Sequence, residues 1–190
     1  IFDKFKTKGS FIMVDPVMAD EGKLYKVFDD QFPKGMKELC KKADIIVPNI
    51  TEAALLLGEP YKKGPHSKNY IEYLLKKLGD LGPSYIALTG IHFDNDKLGA
   101  AVYDRIEKEI NYIPEERIEG YYPGTGDIFA SVLLAAMLKG FKLAKAAEIA
   151  VDFTIKCIRR TKNAGSDIRC GVNFEEGLME FAAVINNAEK

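Results

Sequence analysis

Three short apolar runs, Ser10-Phe11-Ile12-Met13-Val14, Asp44-Ile45-Ile46-Val47-Pro48 and Tyr85-Ile86-Ala87-Leu88, each lead into a polar or glycine-bearing turn, and this pattern narrows the possible folds more than any other. Nearly continuous apolar stretches of this length suit strands buried on both faces, as in a parallel sheet covered by helices. Helical spacing fills the gaps between them. Residues 32–43 set Met36, Leu39, Cys40 and Ala43 on one face, residues 53–57 run apolar until Gly58 stops them, and residues 67–78 align Tyr70, Ile71, Leu74, Leu75 and Leu78. Residues 98–103 and 109–113 read as a hairpin that extends the sheet, and residues 128–138, 143–160 and 174–185 read as helices. The expected fold is α/β: a doubly wound, mostly parallel sheet with helices on both faces. With 190 residues and 47% hydrophobic content, the chain can bury one core as a single domain, residues 1–190.

The residues that close the strands are Asp15, Asn49 and Thr89-Gly90. In open α/β sheets ligands gather outside the carboxyl ends of the strands, so these side chains stand where chemistry is expected. A fourth element, Gly124-Thr125-Gly126-Asp127, follows the loop Glu119-Gly120-Tyr121-Tyr122-Pro123 and opens an alanine-rich helix. Two glycines let the backbone approach a ligand closely, and the amides of the first helical turn, reinforced by the dipole, form an anion site. Asp127 then stands as a base beside an anion cradle. The plainer alternative is that Asp127 only caps the helix; Asn49 or Thr51 can likewise be read as an N-cap of the helix that contains Glu52. Residues 17–25 hold acids, Gly22 and Tyr25 without periodicity and read as a mobile loop.

Composition removes several classes. The 27 basic and 28 acidic residues leave a formal charge of −1, which lacks the basic footprint of a nucleic-acid binder. Cys40, Cys157 and Cys170 follow no metal-ligand spacing and point to a reducing, intracellular setting, while His66 and His92 stand isolated and read as surface or structural residues. No run has membrane-span length and no signal-peptide pattern is present, so a cytoplasmic location is expected. The opening Ile1-Phe2-Asp3-Lys4-Phe5-Lys6 reads as the tail of a helix already under way, and residues upstream of it are expected.

Four segments, taken in order, resemble the ribokinase-like family of small-molecule kinases and, within it, the pyridoxal (vitamin B6) kinases. They are Asp15-Pro16-Val17-Met18-Ala19-Asp20 with Gly22 and Tyr25, Ala43-Asp44-Ile45-Ile46-Val47-Pro48-Asn49 with Glu52, Thr89-Gly90, and Gly124-Thr125-Gly126-Asp127. The resemblance runs along the whole chain in the order of that family's central and C-terminal parts, without the N-terminal part that supplies much of the vitamin pocket. The wording Gly120-Tyr121-Tyr122-Pro123 and Ala130-Ser131 looks most like the bacterial pyridoxamine/pyridoxal branch, and Thr125 in place of cysteine leans away from the hydroxymethylpyrimidine kinases. Ala19 departs from the glycine usual in pyridoxal kinases.

The resemblance implies ATP-dependent phosphorylation of the 5′-hydroxymethyl group of pyridoxal, pyridoxamine or pyridoxine. It makes Asp127 the base and the amides of Gly124, Thr125 and Gly126 an anion hole. It assigns ATP to Asp15, Asp20, Tyr25, Asn49, Thr89 and Gly90, with Asp20 and Tyr25 on a lid, and Mg²⁺ to Glu52, Asn49 and Asp15. No Walker sequence GxxxxGK[ST] occurs, and the family uses none. The implied partners are a B6 vitamer, ATP and a second copy in a homodimer, with no nucleic acid and no membrane. Two alternatives stay open: a kinase for hydroxymethylpyrimidine or a sugar, and a non-catalytic nucleotide-binding module.

Overall fold

The computed structural model describes residues 2–186. In chain order the elements are α1 (Phe2–Phe5), β1 (Met13–Val14), β2 (Ala19–Asp20), β3 (Lys23–Leu24), α2 (Phe32–Cys40), β4 (Ile45–Ile46), α3 (Ile50–Leu57), α4 (Lys68–Gly79), β5 (Tyr85–His92), β6 (Lys97–Asp104), β7 (Glu109–Glu116), α5 (Thr125–Leu138), α6 (Leu143–Ala164) and α7 (Leu178–Asn186). Five strands form one sheet in the order β1-β4-β5-β6-β7, and β2 pairs with β3 in a separate hairpin. The β1–β4 and β4–β5 pairings are parallel and the β5–β6 and β6–β7 pairings antiparallel, so every strand except β6 runs the same way. This is the mostly parallel, doubly wound sheet that the apolar runs imply.

Alternation along the strands divides the core into two layers. Ile45, Val47, Ala87, Ala100 and Val102 face α5 and α6, while Ile46, Ile86, Leu88 and Ala101 face α2, α3 and α4. Small residues dominate the first layer: Ala130 and Ala136 of α5 and Ala146, Ala147 and Ala150 of α6 are buried, which lets these helices pack closely. Larger side chains fill the second, where Ile71, Leu74, Leu75 and Leu78 of α4 are essentially inaccessible.

Four details differ from the sequence reading. Residues 17–25 are not irregular: they build the β2–β3 hairpin, and Met18 and Ala19 are completely buried. The periodicity is hidden because the burying partner is the start of α3 rather than a neighbouring strand. Strand β5 does not stop at Thr89-Gly90 but continues to His92 after a register shift between Leu88 and Ile91, with Gly90 at φ +69°. That pair is therefore a bulge, which bends the strand and re-aims its backbone. Strand β7 runs through Pro114 to Glu116, tolerable because β7 is an edge. His66 and His92 are not isolated from each other, since the His92 amide donates to His66 Nδ1 at 3.2 Å.

Gly99 of β6 pairs with Pro114, and a Cβ there would collide with the Ile113 carbonyl oxygen. Gly99→Ala is therefore expected to cost ~1–3 kcal/mol through overpacking. Thermal denaturation reads this directly; a midpoint equal to that of the parent protein would contradict the packing. Among the described residues, no helix is long and apolar enough to cross a membrane.

Candidate functional site

The parallel strands deliver their last residues to one edge. Val14, Ile46 and Ile86 lie in register, Asp15 follows that row directly, and an isolated parallel bridge joins Asn49 to Thr89 beyond it. The Thr89 amide donates to the Pro48 carbonyl at 3.0 Å, which ties the segment after β4 to the bulge of β5. The ends of β1 and β4 and the bulge of β5 thus present Asp15, Asn49 and Thr89-Gly90 side by side.

Helix α3 starts at that edge with a reciprocal cap. Asn49 Oδ1 accepts from the Glu52 amide at 2.9 Å, and Glu52 Oε2 accepts from the Asn49 amide at 2.9 Å. The capping role considered for Asn49 is therefore real, and its remaining donor goes to the hairpin, Nδ2 to the Ala19 carbonyl at 2.8 Å. Glu52 Oε1 accepts from the Met18 amide at 3.0 Å. The same first turn that supplies site side chains also anchors the segment carrying Asp20 and Tyr25.

Helix α5 begins differently. Its N-cap is Gly124 at φ +82°, a left-handed conformation that favours glycine, and no side chain caps the turn. Asp127 sits in the first turn, exposed, and makes no capping bond. The reading of Asp127 as a mere cap is thus not what the helix shows. Thr125 turns its hydroxyl back to the Tyr122 carbonyl at 3.1 Å, which fixes the loop entering the helix.

These elements enclose a cleft of about 340 Å³, and all eleven candidate residues line it: Asp15, Asp20, Tyr25, Asn49, Glu52, Thr89, Gly90, Gly124, Thr125, Gly126 and Asp127. A second, mostly apolar cavity of about 430 Å³, walled by Phe153, Phe174 and Phe181, also reaches Gly124 and Asp127, so the carboxylate borders two spaces. Tyr121 and Tyr122, from the loop that leads into α5, also wall the cleft, and so do residues that the sequence did not mark for it: Glu115 from β7 and Val151, Thr154, Ile155 and Ile158 from α6. Val151, Ile155 and Ile158 share one face of α6, and helical spacing alone does not separate a cleft wall from core packing.

Acid charge dominates the electrostatics. Burial, and then repulsion from Asp127, push the Asp15 carboxyl up to about 6. Burial pushes Glu52 up to about 7, with Asp15 adding to the rise and backbone donors opposing it. Burial and the surrounding charges of Asp20 and Glu52 also raise the Tyr25 phenol.

A carboxyl whose pKa is higher in the folded state binds its proton more tightly there, so it favours folding at low pH and that contribution disappears as pH rises. From the ordinary values of 3.8 and 4.5 to the shifted values of about 6 and about 7, Asp15 and Glu52 together make the cation-free protein less stable as pH rises from about 4 to about 7. Asp15→Asn should flatten part of that fall in thermal midpoint; a variant that follows the parent slope would contradict the shift.

Among the described residues, no group of three His, Cys, Asp or Glu side chains forms a ready-made metal cluster. The donor chemistry still fits a hard divalent cation. Asp15 and Glu52 are neighbouring carboxyl groups whose charged forms are disfavoured, and magnesium typically takes one or two carboxylates and completes its shell with phosphate oxygens and water. Asn49 Oδ1 and both Glu52 oxygens each already accept one backbone amide, so a cation beside Asp15 would meet Glu52 and Asn49 through a remaining lone pair or through its own waters.

Comparison with known proteins places the chain in a family. A family model described as phosphomethylpyrimidine kinase matches residues 1–171. The hydroxymethylpyrimidine/phosphomethylpyrimidine kinase of Aquifex aeolicus is 29% identical over 167 residues, which cover 87% of this chain and 63% of that protein. The pyridoxal kinase of Ovis aries is 30% identical over 179 residues, which cover 80% of this chain and 54% of that protein. A Bacteroides thetaiotaomicron protein described as a phosphomethylpyrimidine kinase, crystallised with pyridoxal, superposes with a TM-score of 0.89 at 33% identity, over 95% of this chain and 64% of its own. The chain therefore spans between 54% and 64% of the length of these relatives. With a ribokinase-like sheet and a family model that reaches from residue 1 to residue 171, the chain belongs to the phosphomethylpyrimidine kinase family.

Proposed function

We propose that the protein is a kinase that transfers the γ-phosphoryl group of ATP to the hydroxymethyl oxygen of a B6 vitamer: pyridoxal, pyridoxamine or pyridoxine. The observation that carries this reading is the convergence, on one cleft, of an uncapped first helical turn, an exposed Asp127 and the acid pair Asp15 and Glu52. Phosphoryl transfer asks a protein mainly for positioning and charge neutralisation. Asp127 would take the proton of the hydroxymethyl group as its oxygen bonds to the γ-phosphorus and the bond to the bridging β,γ-oxygen breaks, releasing ADP. The amides of Gly124, Thr125 and Gly126 would face the charge that develops on the moving group, where preorganised donors act best.

Thr89 and Gly90 would meet the nucleotide phosphates by hydroxyl and backbone amide, while Asp20 and Tyr25 would cover them and exclude water. Asp15 and Glu52 would hold magnesium, which when bound neutralises phosphate charge. Because it relieves repulsion between carboxylates, Mg²⁺ should raise the thermal midpoint at pH 8 and have little effect at pH 5, where both acids hold their protons. Equal shifts at the two pH values would remove these acids as the ligands.

The choice of acceptor rests on Thr125, Gly120-Tyr121-Tyr122-Pro123 and the pyridoxal bound by the Bacteroides protein. A hydroxymethylpyrimidine acceptor is favoured instead by the description of the family model and by the Aquifex relative. Steady-state turnover with ATP and magnesium separates the two. The B6 reading expects kcat/KM for pyridoxal or pyridoxamine to exceed that for hydroxymethylpyrimidine by about tenfold or more, and the reverse ratio would replace it.

A further inference from the structure

The β2–β3 hairpin has two residues in each strand, and its turn, Glu21-Gly22, holds both residues at positive φ, 48° and 79°. Such a two-residue turn suits a tight hairpin, but an isolated hairpin this short does not persist in water. Its order must come from what it touches. The base is held by Met18 in the core and by the bonds from Asn49 and Glu52 already described. The tip is held by residues to which the proposed chemistry gives no role. The Gly22 amide donates to Thr51 Oγ1 at 3.0 Å, and Thr51 is a polar side chain only 4% exposed. The Tyr61 ring lies against the same glycine, so close that a Cβ at residue 22 would come within 2.6 Å of the ring.

Asp20 immediately precedes this tip and Tyr25 immediately follows β3, and both line the cleft. A change at the tip therefore moves two cleft residues together. We propose that Thr51 and Tyr61 are positioning residues for nucleotide binding: together they clamp the hairpin tip at Gly22, so that Asp20 and Tyr25 already stand at the cleft before a ligand arrives. The ligand in this inference rests on the kinase reading, whereas the clamp itself does not. Pre-ordering of this kind lowers the entropic cost of closing the segment over the phosphates, which improves affinity without changing the chemical step.

The test is hydrogen exchange at the Gly22 amide together with ADP affinity, in the full chain. Thr51→Val keeps the side-chain shape and removes the acceptor, while Thr51→Ser keeps the hydroxyl. For Thr51→Val, exchange at Gly22 should accelerate about tenfold and the Kd for ADP should rise about five- to tenfold, with kcat near the parent value. Thr51→Ser should restore both. Tyr61→Ala removes a side chain that is 38% exposed, so it tests the other jaw without opening the core and should shift both readouts in the same direction. Unchanged exchange in Thr51→Val and Tyr61→Ala would overturn the clamp, and faster exchange with unaltered ADP affinity would overturn its part in binding. If the parent chain itself fails to bind ADP, the nucleotide reading falls, while exchange at Gly22 still decides whether the tip is clamped.

Discussion

Asp127→Asn is expected to lower turnover by roughly 10²–10⁴-fold while leaving nucleotide affinity near the parent value. Asparagine keeps the size of the side chain and its place in the first turn of α5, but it cannot take the proton of the acceptor hydroxyl. The fold should tolerate the change, because Gly124 rather than Asp127 is the N-cap and the residue is exposed. The variant also removes the charge that helps hold the Asp15 carboxyl up, so Asp15 should titrate closer to its ordinary value. Steady-state kinetics with ATP titrations check the first part. Equal loss of turnover and affinity would make Asp127 structural. A protein that binds nucleotide, phosphorylates no alcohol and ignores the substitution would instead be a non-catalytic module.

Glu52→Ala should have the largest effect on stability among the site residues. It strips the acceptor from the Met18 and Asn49 amides and dismantles the α3 capping box. Each buried donor left without a partner costs ~1–3 kcal/mol, so a loss of roughly 2–5 kcal/mol is expected, a fall of about 5–15 °C in thermal midpoint. Near pH 8 the fall should sit towards the low end, since the burial that pushes Glu52 up to about 7 makes its ionised form unfavourable in the parent. Glu52→Gln, which keeps one acceptor oxygen, should fall between the two. Magnesium activation should weaken in both variants. A midpoint unchanged by Glu52→Ala would mean that neither amide depends on the carboxylate.

Much of this site could be read before any coordinates, for a physical reason. Parallel strands buried on both faces are nearly pure apolar runs, so the first polar residue after each run marks the ligand edge, whether the strand ends there or, as in β5, bulges and continues. Asp15, Asn49 and Thr89 were therefore placed together by the same pattern that gave the sheet. The mouth of α5 was legible because Gly124 and Gly126 flank a threonine immediately before an apolar helix. The β2–β3 hairpin was not, since Met18 and Ala19 are buried by α3, which lies some thirty residues further along the chain. Pattern within residues 17–25 carries no trace of that contact.

The bulge at Thr89-Gly90 escaped for a related reason. Glycine at a strand end reads as a stop, whereas here Gly90 at positive φ lets β5 bend and continue. Thr154 and Ile158 were hidden more thoroughly, because residues that line a cleft from the side of a packed helix share the spacing of core residues. Asn49 shows the opposite case. Its plain role as a cap and its position in the cleft are both present, and the cap is what aims α3 and Glu52 at the site.

The most direct measurement is a crystal structure of the protein with ADP, magnesium, a planar mimic of the transferring phosphoryl group and pyridoxal. The expected result has the acceptor hydroxyl about 2.6–3.2 Å from the Asp127 carboxylate, the mimic on the amides of Gly124, Thr125 and Gly126, and the cation on the Asp15 and Glu52 side. A nucleotide bound away from the α5 mouth, or an acceptor oxygen beyond the reach of Asp127 with the cleft fully occupied, would contradict phosphoryl transfer at this site.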